Sequence, residues 1–388
     1  MTERFLPYGR QYIDQADIDA VTRVLKSDFL TSGPEIEKFE TAMCGVTGAS
    51  EAVACSNGTT ALHLALAALG VGEGDICIVP TITFMATANA VRYCGGTVVF
   101  ADVGPDTGLM TRNTLADAMA RAGGPVKAVL PVHLAGQSCD MGSIADLARE
   151  AGAFIVEDSC HALGTERGDG RVGDGRYGDA ATFSFHPVKT IAAGEGGAVT
   201  TNDPVLAEKM RRLRTHGVIR NPEEFIGDPA EPWRHEFHEL GWNYRLPDLC
   251  AALATSQLSK LDQFATRRRE IAAIYDRSFA RLEDHIRPFA RMPDQNPCWH
   301  LYVALIDFEA LGTTRSDVMT ALRERGVGTQ VHYMPVHSQK LYSDTGAYPG
   351  AQAWYQRCLT LPLFYDMTDD DVHRVVRALA DVLGIKAL

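Results

Sequence analysis

Phe154-Ile155-Val156-Glu157-Asp158-Ser159-Cys160-His161-Ala162-Leu163-Gly164 begins as a short apolar run, turns acidic and closes on glycine. That is how a buried parallel strand looks when it ends in a loop, and a carboxylate at the carboxyl end of such a strand lies where open α/β sheets bind ligands. Outward from it, residues 50–200 alternate β-branched runs with helical-period segments. Strands are expected at 52–55, 76–79, 97–100, 128–132, 154–157, 181–185 and 198–201. Helices are expected between them, among them 61–69 and 141–151, the latter with Ile144, Leu147 and Ala148 on one stripe. This order predicts an α/β fold with a mostly parallel central sheet and flanking helices.

Two helical segments precede the sheet as an N-terminal arm. One carries Ile18, Val21, Val24 and Leu25, and the other opens at Pro34 and carries Ile36, Phe39 and Met43. Residues 216–245, with three prolines and two tryptophans, read as a long functional excursion. A nearly continuous helical pattern runs over 246–281. Beyond it, short segments at 301–306 and 329–333 and a helix at 369–383 suggest a small α+β C-terminal domain. The expected division is 1–45 for the arm, 46–250 for the large domain and 251–388 for the linking helix and small domain.

The chain has 388 residues, 46% hydrophobic and 22% charged, which is ordinary for a globular protein of two or three domains. Its net charge of −12, without a basic cluster, disfavours nucleic acid, so an anionic ligand must be held by local donors. The opening residues lack the apolar core of a signal peptide and no long apolar run follows, so the expectation is a cytoplasmic protein with no membrane span. Nine scattered cysteines show no C-x-x-C spacing, which leaves no expected metal site and fits a reducing compartment.

Three loops carry chemistry. Ser56-Asn57-Gly58-Thr59-Thr60 joins a strand to a helix, where backbone N–H groups and the helix dipole suit a phosphate, although Asn-Gly also serves as a plain turn. Asp158 closes its strand, as ligand partner, helix cap or metal ligand. Ser184-Phe185-His186-Pro187-Val188-Lys189 places a lysine in a turn between two apolar strands, followed by Glu195-Gly196-Gly197. A desolvated lysine can form a Schiff base and an aspartate can hold a pyridinium proton. With a phosphate-binding helix end, these are the three attachments pyridoxal 5′-phosphate (PLP) needs.

Six ordered motifs now make the chain resemble the fold-type I PLP-dependent transferases, and among them the DegT/DnrJ/EryC1/StrS sugar aminotransferases. They are residues 57–62, 83–90, 157–164, 184–197, Gly241-x-Asn243-x-Arg245 and His332-Tyr333-x-Pro335. Residues 13–18, 29–34, 159–164, 185–189 and 330–333 point further, to the branch that acts in pseudaminic acid biosynthesis.

The resemblance implies Lys189 as the Schiff-base lysine and proton carrier, Asp158 on the pyridine nitrogen, and Phe84 and His161 flanking the ring. It implies that Gly58, Thr59 and Ser184 hold the phosphate together with Asn243 from the neighbouring subunit of a homodimer. It implies Tyr8, Asp28, Phe29, Leu30, Thr31, Gln330, Val331, His332 and Tyr333 as contacts to a UDP-linked 4-keto-6-deoxy-N-acetylhexosamine, with L-glutamate as donor. Asn57 departs from the family, which usually has Ser there. Its backbone N–H would serve a phosphate unchanged, whereas a lost hydroxyl ligand would remove a bond of about 1 kcal/mol. The alternatives are another nucleotide-linked 4-keto sugar of the bacillosamine, legionaminic or perosamine type, a sugar dehydratase, which would carry histidine in place of Lys189, or a non-catalytic sugar-nucleotide-binding regulator.

Overall fold

The computed structural model describes residues 4–228, 231–282 and 285–385. Seven strands form the central sheet: β1 (Glu51–Cys55), β2 (Ile76–Pro80), β3 (Thr97–Ala101), β4 (Val126–Val129), β5 (Phe154–Asp158), β6 (Ala180–Ser184) and β7 (Gly197–Thr201). Their spatial order is β1-β7-β6-β5-β4-β2-β3, and β7 alone runs against its neighbours. The strands are largely buried, apart from the first three residues of the edge strand β3, as the continuous apolar runs require of a sheet covered on both faces.

β4 ends earlier than its apolar run predicts. Pro131 has no N–H to give a ladder. The chain still follows β5 beyond the strand, because the Pro131 carbonyl accepts from Asp158 N–H at 2.9 Å.

In the arm, α1 (Gln15–Leu25) is closed by a reciprocal cap between Asp14 and Asp17, and Pro34 opens α2 (Pro34–Thr47). Flanking the sheet are α3 (Gly58–Ala68), α4 (Met85–Tyr93), α5 (Arg112–Arg121), α6 (Met141–Glu150) and α7 (Pro204–Arg214). α3 is buried nearly all round and is the innermost of them.

The helical pattern after residue 246 is divided into α8 (Asp248–Leu258) and α9 (Leu261–Phe279). At the break Ser259 turns its hydroxyl onto the Ser256 carbonyl at 2.7 Å, and Lys260 Nζ reaches Asp14 at 2.8 Å and Asp17 at 2.7 Å. The arm is thereby tied to the junction. α1 packs on α8 through Ala20, Val24 and Ala252, leaving Ile18 and Leu25 exposed.

At the C-terminal end β8 (Ile286–Pro288), β9 (Tyr302–Ile306) and β10 (Cys358–Leu361) form an antiparallel sheet, joined by α10 (Arg315–Glu324), α11 (Pro349–Arg357) and α12 (Asp369–Leu383). The run 329–333 does not form a strand: Gln330 makes one bridge to Thr360, and the next side chains turn into a cavity. The excursion 216–245 holds a two-residue strand pair, Val218–Ile219 with Glu236–Phe237. No helix among the described residues is long and apolar enough to cross a membrane.

Candidate active site

The carboxyl ends of β5 and β6 and the start of α3 meet at a cavity of about 650 Å³. At α3 the Asn57 side chain caps the helix: Oδ1 accepts from Thr60 N–H at 2.9 Å, while Thr60 Oγ1 accepts from Asn57 N–H at 3.1 Å. The Asn57 carboxamide is thus engaged with its own helix. The N–H groups of Gly58 and Thr59 open the helix without an acceptor among the described residues. A Cβ on Gly58 would lie 2.8 Å from Ser184 Cβ, so only glycine admits this approach. Free N–H groups, a helix dipole and the adjacent Ser184 hydroxyl make an anion cradle.

Asp158, nearly buried, faces the same cavity from the end of β5. Its Oδ2 accepts from Thr87 Oγ1 at 2.7 Å and its Oδ1 from Cys160 N–H at 3.2 Å. Lys189 enters from the turn after β6, where its own N–H donates to the His186 carbonyl at 2.8 Å. Burial pushes the lysine below its ordinary range, against the opposing pull of Cys160 and Asp158. Its neutral amine is therefore easier to reach than that of a solvated lysine.

The opposite wall comes from His161, His300 and the segment 330–333, with Tyr8 from the arm. His161 Nδ1 accepts from Ala135 N–H at 3.3 Å, and Nε2 lies 3.1 Å from the Tyr333 hydroxyl. His300 packs its ring against His161 with centroids 4.3 Å apart. Burial drives both imidazoles well below their usual range, and neighbouring charge adds to it. His332 is bonded to Thr360 Oγ1 at 2.8 Å and is pushed down to about 3, mainly by burial and then by Lys189. Burial raises the Tyr8 and Tyr333 phenols, Tyr333 well above its ordinary value. Phe84, half exposed at the start of α4, stands at the mouth with its ring 6.1 Å from that of Tyr333.

The cavity therefore collects Gly58, Thr59, Phe84, Asp158, His161, Ser184, Lys189, Tyr8 and Gln330, Val331, His332 and Tyr333. Asp28, Phe29, Leu30 and Thr31 lie elsewhere, exposed on the turn between α1 and α2, and Asn243 is exposed beside Thr215, outside this cavity of the single chain. Thr87, His300 and Ala135 had no role assigned from the sequence. Thr87 stood inside the motif 83–90, the one signal that could have found it, whereas the other two matter only through contacts made in the fold.

An anion cradle and a carboxylate face a lysine amine across one cavity, and the glycine at position 58 leaves room where a side chain would block the cradle. These residues fit PLP. No cluster of His, Cys, Asp and Glu among the described residues could hold a metal ion.

Residues 11–380 match the model of the DegT/DnrJ/EryC1/StrS aminotransferase family. The spore coat polysaccharide biosynthesis protein SpsC of Bacillus subtilis (strain 168) is 40% identical over 385 residues, covering 98% of this chain and 97% of SpsC. Helicobacter pylori PseC, an aminotransferase involved in the biosynthesis of pseudoaminic acid, has a similar structure with a TM-score of 0.90 and 30% identity, over 98% of this chain and 100% of that one. Spr1654 of Streptococcus pneumoniae, solved in its PLP form, gives a TM-score of 0.87 at 27% identity, over 98% and 99% of the two chains.

Proposed function

The chain belongs to the DegT/DnrJ/EryC1/StrS aminotransferase family and is a PLP-dependent sugar aminotransferase, and from this we propose that it carries the amino group of L-glutamate to C4 of UDP-2-acetamido-2,6-dideoxy-β-L-arabino-hexos-4-ulose in a pseudaminic acid pathway. The likeness to PseC supports that acceptor. The observation that carries the reading is the meeting of Tyr8 and Gln330–Tyr333 with Lys189 and Asp158 around one cavity. A sugar nucleotide bound by the arm and the C-terminal segment then has its keto carbon beside the lysine.

In this proposal the Gly58 and Thr59 N–H groups and the Ser184 hydroxyl hold the cofactor phosphate, Phe84 and His161 flank the ring, and Asp158 holds a proton on the ring nitrogen. When bound, PLP supplies an aldehyde that condenses with an amine and a protonated ring that takes up the electron pair of a deprotonated carbon. Lys189 Nζ, which burial favours in its neutral form, accepts and returns the proton at the amine-bearing carbon. Asp158 keeps its position because both carboxylate oxygens are hydrogen-bonded.

Residues 46–250 would form the cofactor-binding domain and 251–388 the linking helix and small domain. A second copy would bring Asn243 to the phosphate and Asp28 to Thr31 to the sugar nucleotide. The exposed Ile18, Leu25, Phe29 and Leu30 supply apolar surface for that copy. All nine cysteines are free, which suits a cytoplasmic site of action.

The test offers the holoenzyme and glutamate either the β-L-arabino 4-keto sugar or its α-D-xylo epimer, with products read by mass spectrometry. Amination of the first in preference to the second is expected. Preference for the epimer would move the enzyme to another aminosugar route, and no amination of either would remove this acceptor class.

A further inference from the structure

We infer that Ala135, His161 and Tyr333 form a one-way hydrogen-bond chain that makes Tyr333 a donor to the keto oxygen of the acceptor sugar, with His161 as the positioning residue that orients it. The inference rests on reading this cavity as the active site and on no particular sugar.

Its direction is set at Ala135. That residue is fully buried with φ of 62°, a left-handed conformation that costs an alanine on the order of 1 kcal/mol and persists only where the surroundings hold it. They do so here. The Ala135 carbonyl accepts from His300 N–H at 3.0 Å and Leu301 N–H at 3.3 Å. A Cβ on the neighbouring Gly136 would lie 2.4 Å from the Cys298 carbonyl oxygen, and Thr165 Oγ1 donates to the Gly136 carbonyl at 2.6 Å. The turn is wedged against the segment leading into β9, and its orientation aims the Ala135 N–H at His161 Nδ1.

A backbone N–H only donates, so Nδ1 must be the bare nitrogen of the ring. The imidazole is neutral for the burial reasons given above, and its single proton then sits on Nε2, where it points to the Tyr333 oxygen at 3.1 Å. Tyr333 accepts that bond. Its own proton is left without an acceptor among the described residues, and the hydroxyl stays protonated because burial and the nearby Asp158 raise it. The free donor lies on a residue lining the cavity with Lys189. A hydrogen bond to a keto oxygen draws charge from the carbonyl carbon and favours attack by an amine.

Histidine-selective 15N NMR of the full-length holoenzyme reads the chain directly, with His161 assigned through loss of its signals in His161→Gln. The expected ring is neutral, with its proton on Nε2, and unchanged from about pH 5 to 8. A proton on Nδ1, or titration within that range, would overturn the inference. This arm needs no sugar, so an error in the acceptor leaves it intact.

The kinetic arm uses whichever keto sugar turns over. Tyr333→Phe should lose about 10²–10³-fold in kcat with a much smaller change in KM while remaining folded. His161→Gln, which keeps an N–H near the Nε2 position, should retain more activity than His161→Leu. Tyr333→Phe within a few-fold of the parent, or equal losses in the two His161 variants, would also reject the chain.

Discussion

Thr87 Oγ1 donates a 2.7 Å hydrogen bond to Asp158 Oδ2, joining the first turn of α4 to the end of β5. Thr83 Oγ1 lies 2.8 Å behind it, so the donating hydroxyl is itself held. Together with Cys160 N–H on Oδ1, this fixes the plane of the carboxylate.

Thr87→Val keeps the volume but withdraws the donor. A hydrogen bond to a charged group contributes about 1.5–3 kcal/mol, so the dissociation constant of PLP should rise roughly ten- to a hundredfold. Absorbance titration of apoenzyme with PLP measures it. Unchanged affinity would mean that the Cys160 N–H suffices to hold Asp158.

Gly58→Ala tests the cradle. The added methyl would fall 2.8 Å from Ser184 Cβ, so the start of α3 and β6 must part. Overpacking of this kind costs about 1–3 kcal/mol. The more informative measure is the rise in thermal midpoint on adding PLP, which should shrink sharply, because a ligand stabilises only what it binds. A full PLP-induced rise in the variant would place the phosphate elsewhere.

Lys189→Met should abolish turnover while leaving the apoprotein at least as stable at neutral pH. Burial lowers the lysine from the 10.5 of a solvated amine, so below the folded value the native state bears the cost of a desolvated charge. Between the folded value and 10.5 the unfolded chain binds more protons, and the parent gains stability as pH rises. Denaturation should show a variant more stable by about 1 kcal/mol near neutrality, with the gap closing toward high pH. Residual multiple turnovers would reject Lys189 as the reacting amine.

Much of this arrangement was legible in the sequence because its residues sit at punctuation. Asp158 closes an apolar run, Lys189 occupies a turn between two others, and Gly58 follows a strand and opens a helix. The choice left open at Asn57 needed the fold, since only the reciprocal bonds with Thr60 show both its side chain and its backbone N–H engaged in a cap. The segment 329–333, placed from the sequence in the small α+β domain, adds no strand to its sheet, because composition says nothing of pairing: it meets Thr360 once and then lines the cavity. His300 and Ala135 were illegible for the same reason. Their significance lies in a backbone N–H and a ring contact between segments far apart in the chain.

Three buried histidines should make the protein acid-labile. His332 is lowered to about 3 in the fold, and His161 and His300 well below their ordinary range, while an unfolded histidine titrates near 6.5. Their neutral burial is compatible with full stability above about pH 6.5, and stability is lost as pH falls from there toward 3, because only the unfolded chain takes up protons. Each can contribute up to about 1.4 kcal/mol per pH unit. Urea midpoints at about pH 7 and pH 5 should differ, and His332→Gln, which can still bond Thr360, should reduce the difference. An equal difference in parent and variant would assign the lability to other groups.

A final prediction concerns Asn243, which is exposed and lies outside the cavity of its own chain. If it completes the phosphate site of a partner, Lys189→Ala and Asn243→Ala should each inactivate the homodimer, the second by weakening PLP binding. In a hybrid of the two, one site pairs an intact Lys189 with an intact Asn243, while the other carries both substitutions. Unfolding and refolding the mixed variants together should therefore restore activity through one working site per hybrid dimer. A site built from a single chain would give a different result, since every subunit in the mixture then carries one lesion and no combination recovers function.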